Sequence, residues 1–180
     1  MAKSELYFVT DIETDGPIPG PHSMLSFACV AVNAVGESVS EFSVNLETLP
    51  EAQAHPTTAA FWRGEPQAWA ACRENPVAPE QAMKEYVSWI YALCAHHSAP
   101  VFVGYPAGFD FTFVFWYLQR FTGGSPFSWS ALDMKSFGMG LSGLPFKQTI
   151  KPRLPNEWLS ENLPHTHIAL DDAREHAHIF

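Results

Sequence analysis

The sequence predicts an α/β fold: a mixed five-stranded sheet with three antiparallel N-terminal strands, flanked by helices. Three observations carry this reading. Up to Leu46 the chain holds three β-rich segments, two of them joined by a short polar turn. From His55 onward, segments of helical period alternate with short apolar runs. The 180 residues suffice for one sizeable core and hardly for two, so residues 1–180 read as a single domain.

Each element has a local reason. Residues 6–10 are β-branched and aromatic and run toward Gly16-Pro17, a stop signal, which makes them the first strand. Residues 24–32 and 38–46 flank Asn33-Ala34-Val35-Gly36-Glu37, a hairpin turn. Residues 56–62 and 66–72 each begin with proline and read as short helices around Gly64. The best helix spans 79–95, where Ala82, Met83, Tyr86, Val87, Trp89, Ile90 and Leu93 form one apolar face. Residues 101–103 are a buried strand closed by Gly104-Tyr105-Pro106, and 109–121 an aromatic-rich helix. Residues 129–134 are the fifth strand, 136–144 a weak helix, and the proline-rich stretch 151–164 a loop. A last helix over 168–180 stops early, as if the chain were trimmed or a C-terminal extension were missing.

Composition excludes several classes. Hydrophobic residues make up 47% and charged ones 16%, which rules out a disordered tail. Nineteen acids against ten bases leave a net charge of −9, opposite in sign to a protein that grips long duplexes by their phosphates. Any nucleic acid should be touched at few phosphates, with metal ions helping. Cys29, Cys72 and Cys94 are odd in number and widely spaced, so a disulfide framework or structural zinc is not expected. The start lacks a secretory apolar stretch, and no run approaches the ~18 apolar residues of a membrane span. The expectation is a soluble, cytoplasmic protein without a membrane partner.

Three constellations carry chemistry. In Asp11-Ile12-Glu13-Thr14, residues two apart share a strand face, so Asp11 and Glu13 set two carboxylates side by side. Their repulsion is relieved by a hard divalent cation, although a solvated strand end explains the pair alone as well. Asp110 is a solitary acid in the apolar Gly104-Tyr105-Pro106-Ala107-Gly108-Phe109-Asp110-Phe111, where helix capping is the simpler account. In His165-Thr166-His167-Ile168-Ala169-Leu170-Asp171-Asp172, a histidine precedes acids at a helix start, the layout of a base beside a ligand or of a plain surface loop.

Taken in order, DxET, FD before an aromatic helix, and HxALxD before a final helix resemble the DEDDh (DnaQ-like) 3′–5′ exonuclease family of RNase H-like fold. The motifs run from Asp11 to Asp172, nearly the whole chain. The resemblance implies two divalent cations, Mg²⁺ or Mn²⁺, held by Asp11, Glu13, Asp110 and Asp172. It implies His167 as the base that takes a proton from water. Activity would be hydrolysis of phosphodiester bonds from 3′ ends of single-stranded DNA, RNA or short oligonucleotides, releasing nucleoside 5′-monophosphates. Thr14, Phe61 and Trp62 are candidate substrate contacts, the aromatic pair as a base-stacking platform. Relatives often carry Asn-Ala before the FD, where this chain has Tyr105-Pro106-Ala107-Gly108, and an acid where it has Met24-Leu25-Ser26-Phe27. Both departures bear on substrate preference.

Other residues are set aside. Asp171 is the less favoured acid beside Asp172, Asp15 shapes a turn, and Asp133 is structural. His176 sits at helical spacing from Asp172 but outside the resemblance, and His96, His97 and His178 read as helix-end surface groups. His165 is expected to be nearly silent. The alternative class is a catalytically inactive RNase H-like module that binds nucleic acid or protein. A glycosidase is a third, disfavoured because adjacent same-face acids do not flank a sugar. A homodimer is compatible with the sequence.

Overall fold

β1 (Ser4–Thr14), β2 (Met24–Val32) and β3 (Ser38–Asn45) form an antiparallel meander, with β4 (Ser98–Gly104) and β5 (Leu132–Asp133) added in parallel on the far side of β1. The computed structural model describes residues 4–94 and 98–180. The five-stranded order is β3-β2-β1-β4-β5. Ala95, His96 and His97 lie outside the described residues. The helices are α1 (Pro56–Gly64), α2 (Pro66–Cys72), α3 (Pro79–Cys94), α4 (Ala107–Thr122), α5 (Met134–Ser142) and α6 (Ala169–Ile179). No described helix is long and apolar enough to cross a membrane.

The sheet divides the core by strand parity. Even residues of β1, Leu6, Phe8 and Ile12, join Phe102, Met83, Tyr86, Ile90, Phe113 and Tyr117 beneath α3 and α4. Val9 points the other way, with Val30 and Val103, against Ala169 and Ala173 of α6. Asp11 and Glu13 continue that second face.

Several segments differ from expectation; β1 runs over Ser4–Thr14 rather than 6–10, and β4 over Ser98–Gly104 rather than 101–103. The fifth strand shrinks to two residues, because Ser128 and Ser130 satisfy each other in a turn instead of feeding a ladder. The stretch 151–164 carries short 3-10 turns at Lys151–Arg153 and Asn156–Trp158.

The offset between β1 and β4 places the site. Their pairing ends at Thr10 opposite Gly104, while β1 continues to Thr14 paired only with β2. The last four residues of β1 therefore lie beyond the end of β4, and the first turn of α4 enters the space left open. Gly104 permits that entry, since a Cβ there would stand 2.9 Å from both the Ala107 Cα and the Asp110 Oδ2. Asp133 ties the corner together, accepting from the Ala107 N–H at 2.9 Å and from the Ser136 N–H at 2.7 Å.

Candidate active site

Three chain segments bring acids to one point. Carboxylate oxygens of Asp11 and Glu13 on β1 and of Asp172 on α6 lie within 4.8 Å of one another. Asp110, in the first turn of α4, is buried with its Oδ2 unpartnered. Burial, then the neighbouring Asp110, Glu13 and Asp172, push the Asp11 carboxyl well above the usual range. Burial, then Asp172 and Asp110, push Glu13 up to about 9. Burial likewise raises Asp110 to about 8. Such crowding is costly in low dielectric unless a cation answers it. Hard oxygen donors with an orphaned buried oxygen fit divalent cations.

Asp172 differs, and its neighbours explain why. Burial acts to raise it, but His165, the Thr166 N–H and Lys151 more than offset this, and its carboxyl lies low. Its Oδ1 accepts from the Thr166 N–H at 2.8 Å, and Oδ2 from the His167 N–H at 3.1 Å. The His165 Nδ1 stands 2.9 Å from the same Oδ2. Asp171 meets instead the Thr166 hydroxyl at 3.2 Å and faces Arg174. Geometry thus brings Asp172, and not Asp171, into the acid cluster.

His167 is held above Asp172 by a backbone in the left-handed region, with φ 58°. Its ring meets Phe61 edge-on at 5.0 Å and His165 at 4.4 Å. The aromatic pair on α1 splits: Phe61 is 41% exposed, whereas Trp62 is in the core with its Nε1–H donating to the Thr14 carbonyl at 2.8 Å. The Thr14 hydroxyl is committed to the Gly16 carbonyl at 2.9 Å. Asp15 accepts from the Ser23 N–H and shapes the turn after β1.

Four residues at the site were not legible as such. His165 is no surface spectator, since its Nδ1 reaches both Asp172 and, at 3.0 Å, the Lys151 Nζ. That nitrogen accepts from Lys151 when bare and donates to Asp172 when it carries the proton. Lys151 also donates to the Glu175 Oε2 at 2.5 Å. His176 is buried, 3.5 Å from the Asp11 Oδ1, and neither ring nitrogen has a hydrogen-bond partner. Only the i+4 spacing of His176 from Asp172 hinted at this, and nothing in the sequence linked Lys151 to either.

The raised carboxyls make stability depend on pH. A group held above its ordinary value keeps a proton that the unfolded chain gives up, so stability is lost as pH climbs toward the folded value. His176, lowered to about 3 chiefly by burial, works oppositely but only below its ordinary 6.5. Between pH 6.5 and 9, the raised carboxyls of Asp11, Glu13 and Asp110 therefore dominate. In EDTA the melting midpoint should fall by roughly 5 °C or more across that window. Scanning calorimetry with added Mn²⁺ should flatten the decline; a midpoint rising with pH in EDTA would refute this electrostatic account.

The sheet order β3-β2-β1-β4-β5 with its flanking helices is the RNase H-like fold of the exonuclease structures it resembles. No family model matches the chain. It is 32% identical over 177 residues to the 3′-5′ DNA exonuclease Cap18 of Escherichia coli, covering 98% of this chain and 90% of that protein. The chain belongs to the DEDDh 3′–5′ exonuclease family. The nuclease domain of 3′hExo, a DEDDh member bound to rAMP, has the same fold, with TM-score 0.68 and 14% identity over 98% of this chain and 90% of that one. The zinc-bound Escherichia coli ExoI–ssDNA complex matches at TM-score 0.65 and 17% identity, over 98% of this chain and 39% of that one.

Proposed function

We propose that this chain hydrolyses single-stranded DNA or RNA from the 3′ end and releases nucleoside 5′-monophosphates. The observation that carries this is the buried cluster of Asp11, Glu13 and Asp172 with the unpartnered Oδ2 of Asp110 beside it. Asp11, Glu13, Asp110 and Asp172 would hold two Mg²⁺ or Mn²⁺ ions. When bound, such a pair stabilises the attacking and leaving oxygens of an in-line displacement at phosphorus. His167 accepts the proton from water as its oxygen bonds to phosphorus. The bond from phosphorus to the upstream 3′ oxygen breaks, and that oxygen takes a proton from solvent. Phe61 offers an exposed ring beside His167 for the terminal base. A relative named a DNA exonuclease supports DNA as the substrate.

The experiment is a digestion panel of end-labelled linear, 3′-blocked and circular single strands, of DNA and of RNA, with Mn²⁺ or EDTA. Linear strands should yield mononucleotides, while blocked and circular ones resist and EDTA stops all turnover. Efficient cutting of a circle, or turnover in EDTA, would defeat the proposal.

A further inference from the structure

The ten bases of this chain are unevenly placed. Between Met134 and Asn156 stand Lys135, Lys147, Lys151 and Arg153 without a single acid, in a chain of net charge −9. This segment, comprising α5 and the turns after it, packs beside the acid cluster, where the Tyr105 hydroxyl donates to the Thr149 carbonyl at 3.3 Å. Between them is a cavity of about 560 Å³, a size within the range of ligand sites, lined by residues including Asp11, Tyr105, Lys135, Thr149, Lys151 and His176.

Two of these side chains point to a ligand. His176 is only 2% exposed and has no hydrogen-bond partner at either ring nitrogen. A buried polar group left bare is costly, and a ligand in the cavity would satisfy it. The Lys135 Nζ rests 4.6 Å from the Phe146 ring centroid, and no ion pair engages it among the described residues. The Lys151 ammonium, by contrast, is already held by Glu175 and His165.

We propose that this cavity seats the phosphodiester on the 5′ side of the scissile one, with Lys135 as its cationic contact, so that the strand leaves along residues 134–156. The inference rests on the exonuclease reading and adds the strand's direction to it. The two flanks of the acid cluster differ in kind. On one lie the Phe61 ring and His167, apolar and aromatic, suited to a terminal nucleoside that carries no further phosphate. On the other lies the basic segment, suited to the part of the substrate that carries all the remaining phosphates.

The test compares a single-stranded tetranucleotide with thymidine 5′-(p-nitrophenyl phosphate), which has a cleavable phosphodiester and no upstream phosphate. In Lys135→Ala the ratio of kcat/KM, tetranucleotide over ester, should fall about tenfold, the effect of one lost charged contact. The salt dependence of kcat/KM on the tetranucleotide should become shallower by about 0.7 in log–log slope. Lys135→Arg should restore most of the ratio. A ratio in Lys135→Ala within about twofold of wild type, or equal loss on both substrates, would overturn the inference while leaving the exonuclease reading intact. A wild-type protein that hydrolyses neither substrate would overturn that reading, and the inference with it.

Discussion

Asp11→Asn should lose at least about 10³-fold in turnover and, in EDTA at pH 8, melt at a higher temperature than wild type. The two effects have one cause. Asp11 is the acid on which the others converge: Asp110, Glu13 and Asp172 each raise its carboxyl, and Lys151 pulls it down. Asparagine keeps the shape and one acceptor oxygen but removes the charge that would hold a divalent cation. Without a cation, the loss of one buried acid from the cluster relieves repulsion. Hydrolysis of a labelled oligonucleotide and a melting scan measure the two halves. Wild-type rates in a preparation cleared of other nucleases would sink the two-cation mechanism.

His167→Ala should slow turnover by about 10²–10⁴-fold, the usual effect of losing a general base, while Mn²⁺ still raises the melting temperature. Asp172→Ala should lose both. Because Asp172 also holds two backbone N–H groups of the loop, Asp172→Asn is the needed companion, since it retains an oxygen for the loop. His165→Ala is no longer expected to be silent. With its Nδ1 2.9 Å from Asp172, its loss should weaken Mn²⁺ affinity more than His167→Ala does. Full turnover in His167→Ala beside a crippled His165→Ala would transfer the base role to His165.

Legibility followed range. β2 was readable to its ends because nine successive residues from Met24 to Val32 are buried and the hairpin turn beside it is local. The acids of β1 were readable because strand parity alone sets Asp11 and Glu13 on one face. What the sequence could not show were contacts made across the fold. Lys151 lies 14 residues before His165 and 24 before Glu175, in a proline-rich stretch with no period to orient it. His176 meets Asp11 only because α6 packs on the β1 face, a fact of topology. Trp62 looked like half of a platform until its indole N–H found a backbone carbonyl in the interior. The fifth strand was overdrawn because serine side chains compete with the ladder, which composition does not reveal.

The carboxylate of Asp172 serves two masters. An ionised carboxyl has about four lone pairs to offer, and here the amides of Thr166 and His167 and the ring of His165 already draw on them. An ion that recruits this group therefore competes with, or tightens, the hydrogen bonds that hold the histidine loop in its left-handed turn. By thermodynamic reciprocity, whatever free energy the loop's order adds to ion affinity, the ion returns to the loop's order. Hydrogen-exchange protection at two backbone amides thus becomes a gauge of how full the site is, readable before any substrate arrives.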